Sequence, residues 1–169
     1  MSVRKEFTAQ SIYYIDKSTP RIKTCLDQIS EDQLWKKPSP VSNSIGNIIL
    51  HLCGNITQYI LSALGQVEDK RDRPKEFSAE GGYNRAELFS KLEKTVSDAN
   101  KVIKGMNKKK LLKIYKVQGE ELSGVGIIVH VTEHYSYHTG QVAFYTKLLT
   151  NQDLGFYKDI DLNKKNEIV

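Results

Sequence analysis

The residues best suited to chemistry in this chain are its four histidines, His51, His130, His134 and His138. Three of them recur at intervals of four within one stretch. On a helix, four residues advance about 6 Å and turn only about 40° past a full turn, so all three share a face. His51 sits in a polar stripe of Asn47, His51, Asn55 and Gln58 that interrupts an otherwise apolar segment. Burying such groups is unfavourable unless they find partners. A divalent metal ion shared by two facing helices supplies one, because neutral imidazole is a common metal ligand. Spacing limits the choice of ligands. His130 and His138 lie about 12 Å apart along a helix axis, whereas metal–nitrogen bonds are about 2 Å. One ion therefore takes an adjacent pair, either His130 with His134 or His134 with His138, and His51 completes a three-histidine site. Such a site leaves positions open for water or substrate.

A second motif overlaps these residues. His130-Val131-Thr132-Glu133-His134 has the H-x-x-E-H spacing of a zinc protease, in which Glu133 would activate water. The pattern arises easily by chance in a histidine-rich helix, and the chain is small for a protease with a substrate cleft. Cys25 and Cys53 are too few and too loosely spaced for a disulfide framework or a cysteine-based zinc site. Cys53 lies two residues past His51, about 200° around the helix, and reads as core, as does Cys25. Asn47, Asn55 and Gln141 are candidates to orient imidazoles by hydrogen bonding, with helix packing or solvent contact as the alternative. Trp35 and Tyr137 read as packing or as the mouth of a pocket. No second ionisable residue is placed beside the metal by spacing.

The elements that must position these groups are helical. A first stretch runs from about Lys5 to Gln28 with Ile12, Ile15, Ile22, Leu26 and Ile29 as its apolar stripe. Pro20 either kinks it or opens a new helix capped by Ser18 or Thr19. Ser30-Glu31-Asp32-Gln33 is a capping box for a short helical turn, ended by the Lys37-Pro38-Ser39-Pro40 loop. A second long helix spans about Ser44 to Leu64 and stops at Gly65. Residues 66 to 82 read as a long irregular loop, a kind that is often functional. A third helix opens with Asn84 as N-cap and Glu87 three residues later, and closes at Gly105. A connector with a short extended piece near Lys113 to Gln118 leads to a fourth helix from about Ser123 to Leu149. Four amphipathic helices predict one all-α domain, a four-helix bundle over residues 1–169 with a short extra helix and long connectors.

With 169 residues, 39% hydrophobic, 27% charged, 4 Pro and 11 Gly, the composition excludes collagen-like and wholly disordered chains. No apolar run approaches the about 20 residues that cross a bilayer, and the first residues lack the apolar core of a signal peptide, so a cytoplasmic location is expected. The formal net charge is +5, from 25 basic and 20 acidic residues. An excess of this size does not argue for nucleic acid. The dense run Lys108-Lys109-Lys110 reads as a solvated helix end and connector. Neither a nucleic-acid nor a membrane partner is expected.

Several segments resemble the DinB-like metal-binding superfamily, in an uncharacterised bacterial branch. They are Leu34-Trp35 with Pro38, Ser42 to Asn47 leading to His51-Leu52-Cys53-Gly54-Asn55, Gly81-Gly82-Tyr83, Val117-Gln118-Gly119, His134 through Tyr137-His138-Thr139-Gly140-Gln141, and Asp153 to Tyr157. The resemblance spans most of the chain and implies a DinB-like four-helix bundle, expected to form a homodimer. It implies metal ligands at His51, His134 and His138, with His130 outside, and zinc or nickel as the metal. It also implies thiol-dependent S-transfer to a small electrophilic substrate, with a low-molecular-weight thiol as co-substrate. A metal-dependent hydrolase and a non-catalytic metal-binding or structural dimer are the alternatives. Thr139 departs from the superfamily, where Arg is frequent before Gly-Gln.

Overall fold

A computed structural model describes residues 2–167. Helix α1 (Val3–Gln28) is capped by Ser2 and runs unbroken through Pro20. The proline removes one backbone donor, yet the chain does not restart at Ser18 or Thr19. Both hydroxyls instead donate back to carbonyls four residues earlier, to Tyr14 at 2.9 Å and Ile15 at 3.1 Å. Buried Ile15, Ile22 and Leu26 lie on both sides of Pro20, so packing holds the helix continuous. Helix α2 (Glu31–Trp35) begins at the expected capping box.

Helix α3 (Ile45–Ile56) opens with a second capping box, Ser44 with Asn47. It continues without a break as a π-helical segment, Thr57–Leu64, and ends at Gly65. The side chain of Trp35 covers the start of α3. A Cβ at Gly46 would overlap the indole ring, and the indole N–H donates to the Tyr83 carbonyl at 3.2 Å. Trp35 is thus a packing residue that ties α2 and α3 to Tyr83, just past the 66–82 segment.

That segment is not wholly irregular. It contains helix α4 (Arg73–Ser78), capped by Asp72 and with Pro74 in its first turn. Six residues with one buried side chain carry too short an apolar pattern to be read from sequence. Helix α5 (Arg85–Lys104) has the Asn84–Glu87 capping box and buries Leu88, Leu92, Val96, Ala99 and Ile103. The connector folds as helix α6 (Lys108–Leu112) and an antiparallel hairpin, β1 (Ile114–Val117) with β2 (Glu120–Ser123), turning at Gln118-Gly119. Helix α7 (Gly124–Thr150) completes the chain's regular structure.

Helices α1, α3, α5 and α7 form the bundle. α1 packs on α5 and α7, α3 packs on the same two, and α4 lies against α3. The core between them is aliphatic, with fully buried Ile22, Leu34, Ile45, Ile49, Leu52, Ile60, Leu88 and Leu92. Tyr135 crosses it from α7, and its hydroxyl meets Thr19 Oγ1 on α1 at 2.9 Å. Among the described residues, no helix is long and apolar enough to cross a membrane.

Candidate metal centre

Helices α3 and α7 bring three imidazoles to one point. His51 Nε2 lies 3.1 Å from His134 Nε2, and His138 Nε2 lies 3.2 Å from the same atom. One ligand atom from each of the three falls within 4.8 Å of the others. Nitrogens bound at about 2.0–2.1 Å to one ion, at tetrahedral to octahedral angles, stand about 2.8–3.4 Å apart. Both Nε2–Nε2 spacings fall within that interval.

The partners of the outer ring nitrogens suit a cation at this point. His51 Nδ1 is 2.9 Å from Glu76 Oε2, which only accepts, and 3.1 Å from Arg71 Nη2, which only donates; because Arg71 Nη2 already donates to Oε2 at 2.8 Å, the Nδ1–H tautomer of His51 suits this pocket. His138 Nδ1 is 2.7 Å from Gln141 Oε1 and donates to it in the same way. The Nε2 atoms of both rings then carry lone pairs aimed at the same space. Two lone pairs facing one another repel unless a proton or a metal ion lies between them. The donor set, imidazole nitrogens of which two have the opposite ring position tied, fits a divalent metal ion.

Apart from its two Nε2 contacts, His134 is held by neighbouring rings. It stacks on His130 with centroids 5.4 Å apart and meets His138 edge-on at 4.4 Å. Its Nδ1 is buried and has no protein partner. Burial, and then the neighbouring imidazoles and Arg71, push its pKa down to about 3. Burial likewise lowers the His138 value. Both rings are neutral at pH 7, the form that binds metal.

The support behind His51 comes from the 66–82 segment. Glu76, on α4, has its carboxylate gripped by Arg71, with Nε to Oε1 at 2.7 Å and Nη2 to Oε2 at 2.8 Å. Arg71 Nη1 donates to Gln58 Oε1 at 2.9 Å, and Gln58 Nε2 donates to Asp69 at 2.8 Å. Burial alone would raise the Glu76 pKa, but the hydrogen bonds from Arg71 and His51 outweigh it, and the carboxyl stays below its ordinary range. Gly54 makes this approach feasible. A Cβ there would overlap Glu76 Oε1 and crowd Arg71 Nε. Phe77, the next residue on α4, covers the His51 ring at 4.8 Å.

The other residues singled out by sequence take different places. Asn47 touches no imidazole. Its Nδ2 donates to the Glu76 and Ala79 carbonyls at 3.0 and 2.8 Å, which anchors α4 on α3. Asn55 contacts His130, not a member of the triad, at 3.3 Å. His130 stacks on Tyr59 of the π-helical segment at 4.3 Å and stays outside the three-nitrogen cluster. Glu133 borders a groove with Phe7, Ser11 and Tyr14 of α1, which removes it from the role the H-x-x-E-H spacing suggests. Gln141 does meet His138. Tyr137 is exposed, with its ring edge-on to His138 at 5.0 Å. Thr139 is buried and donates to the Tyr135 carbonyl at 2.7 Å. Cys25 and Cys53 are buried core thiols, and burial raises their pKa values to about 11 and about 12.

Sequence spacing placed no ionisable residue beside the triad, and that expectation fails. Glu76 and Arg71 stand there, 25 and 20 residues beyond His51. The sequence signal that could have found them is Gly54, a glycine inside a helix one turn beyond Leu50 and three residues from His51.

The fold has counterparts among solved structures. A conserved protein from Enterococcus faecalis superposes with a TM-score of 0.72 at 15% identity, covering 90% of this chain and 99% of that one. A DinB-like protein from Bacillus subtilis, YjoA, gives 0.66 at 15% identity over 88% of this chain and 96% of its own. A DinB-like protein from Bacillus cereus gives 0.65 at 17% identity, over 84% and 90%. At these identities the likeness is one of fold. No curated protein matches the chain. Residues 2–163 match a family described as a protein of unknown function, DUF1572. A match over nearly the whole chain, joined to the bundle seen here, makes this protein a member of the DUF1572 family with a DinB-like fold.

Proposed function

We propose that the protein binds a divalent metal ion, zinc or nickel, through His51, His134 and His138, and uses it to conjugate a low-molecular-weight thiol to a small electrophile in the cytoplasm. The observation that carries the metal reading is the convergence of three imidazole nitrogens, His51 Nε2 and His138 Nε2 at 3.1 and 3.2 Å from His134 Nε2, while the Nδ1 atoms of His51 and His138 face oxygens of Glu76 and Gln141. Three protein ligands, rather than the four of a closed structural site, support a reactive role. A divalent ion held by neutral ligands keeps its full charge and favours the thiolate form of a thiol or the hydroxide form of water.

The chain's own residues do the rest. Glu76 and Gln141 fix two ring tautomers, and Arg71 holds Glu76 charged. Phe77 shields one side of His51 from water. Cys25 and Cys53 are buried thiols with raised pKa values, so the reacting thiol comes from outside.

The test begins with elemental analysis of protein purified without chelator or His-tag, with about one ion per chain expected. The cobalt-substituted protein should then show a sulfur-to-metal charge-transfer band on adding a small thiol, and should conjugate that thiol to an activated haloarene. His134→Ala should lose both signals. A cobalt spectrum indifferent to every thiol, from fully loaded protein, refutes thiol transfer and leaves hydrolysis or a non-catalytic role.

A further inference from the structure

The lysine run is exposed at a helix end and along the connector, as its sequence suggests, and the structure adds how its charges are paired. Residues 101–116 hold seven lysines and no acidic residue. Two of the seven are paired, Lys101 with Asp98 at 2.8 Å and Lys116 with Glu121 at 3.6 Å. Lys104, Lys108, Lys109, Lys110 and Lys113 make no ion pair with any described carboxylate. Those five charges equal the whole formal net charge of +5, so the remainder of the molecule is close to neutral. The start of α1 joins the same end of the bundle, where Arg4 Nη1 donates to the Met106 carbonyl at 3.0 Å.

The run is held in place. Asn107 caps α6 by accepting from the Lys110 N–H at 2.9 Å, and Leu111 anchors the helix in the core. Tyr115 donates to the Lys110 carbonyl at 3.1 Å, and the Gly124 N–H to the Lys113 carbonyl at 3.1 Å. Between the cations stand two large aliphatic side chains turned to solvent, Leu112 at 62% exposure and Ile114 at 57%. Alternation along β1 buries Val117 and leaves Ile114 and Lys116 on the same outward side.

We propose that this end of the bundle, α6 with strand β1, docks on an anionic phospholipid surface. Unpaired lysines attract acidic headgroups, and exposed Leu112 and Ile114 suit the boundary between headgroups and acyl chains. Single-stranded nucleic acid fits less well. It calls for open aromatic faces, and the one aromatic residue in the run, Tyr115, has Lys113 lying over its ring at 5.1 Å. The proposal is independent of the metal site.

The test is co-sedimentation of the full chain with vesicles of phosphatidylcholine alone, and of about two parts phosphatidylcholine to one of phosphatidylserine, at low and high salt. Binding only to the phosphatidylserine vesicles, weakened by salt, is expected. Each lysine contributes about fivefold, so changing Lys108, Lys109 and Lys110 together to Gln should weaken binding on the order of 100-fold. The matching change to Arg should preserve it. Leu112→Ser with Ile114→Ser should remove the binding that survives high salt. These positions are exposed, so the thermal midpoint and metal stoichiometry should not move, which separates lost docking from lost folding. Equal binding to both vesicle types, no binding to either, an unaffected Gln variant, or binding to single-stranded DNA without vesicle binding would each overturn the proposal.

Discussion

Replacing Glu76 by Gln tests whether the buried carboxylate serves the metal or only the fold. The side chains of Arg71 and Glu76 are 3% and 9% exposed, and the carboxylate accepts from Arg71 twice and from His51 once. The amide keeps the size and one accepting oxygen, but it leaves the Arg71 charge buried without a counter-charge. Breaking such a pair from one side costs about 3–5 kcal/mol. The retained oxygen argues for the lower end, about 3 kcal/mol, which in a domain of this size lowers the thermal midpoint by about 6–12 °C. The neutral oxygen is also a weaker acceptor for the His51 Nδ1 proton, so His51 becomes a weaker ligand. Loss of such support typically lowers metal affinity about 10–100-fold. The two effects separate in Arg71→Met with Glu76→Gln, which removes the stranded charge. That double variant should recover part of the stability and none of the metal affinity. Calorimetric zinc titration and thermal unfolding of chelator-treated protein read the two quantities. If Glu76→Gln loses stability but binds zinc as tightly as wild type, the carboxylate braces the 66–82 segment and does nothing for the metal.

Further changes probe the same geometry. His51→Ala, His134→Ala and His138→Ala should each abolish stoichiometric metal binding, while His130→Ala, outside the nitrogen cluster, should largely retain it. Loss of metal in the His130 variant with retention in the His138 variant would restore the H-x-x-E-H pairing. Gly54→Ala places a methyl group on the Glu76 carboxylate. It should cost about 1–3 kcal/mol by overpacking and also weaken zinc binding, as two separate readouts of one displacement. In the metal-free protein, His134 has a folded pKa of about 3, below the about 6.5 of an unfolded histidine. The unfolded chain therefore binds its proton first, and stability should fall as pH drops from about 6.5 towards about 3. Glu76, lowered in the folded state, adds to the loss at the acid end. A thermal midpoint that rises on acidification through this window would contradict both assignments. Cys25 and Cys53 should react with a thiol reagent only on unfolding, and fast labelling of native protein would show that the core opens.

The helices that carry the site were legible because their signals are local. Capping boxes at Ser30 and Asn84 and the apolar spacing in Ile45 to Leu64 depend on residues three or four apart, and the structure has helices at each. The shared face of His130, His134 and His138 is equally a consequence of helical pitch. Spacing could not choose between the two histidine pairs, because that choice depends on where α3 crosses α7. The crossing brings His51 to His134 and His138 and sets His130 against Asn55 and Tyr59. The carboxylate behind His51 was invisible for the same reason. Glu76 sits on a six-residue helix inside a polar stretch, and its role depends on a contact across 25 residues that Gly54 permits and Asn47 anchors. The lysine run, too, was visible as composition, but that its charges go unpaired around Leu112 and Ile114 depends on how α6 and the hairpin fold together. Local periodicity fixes which residues share a helix face, whereas packing between distant segments decides which of those faces meet, and so which side chains converge on one point, which support them and which face solvent.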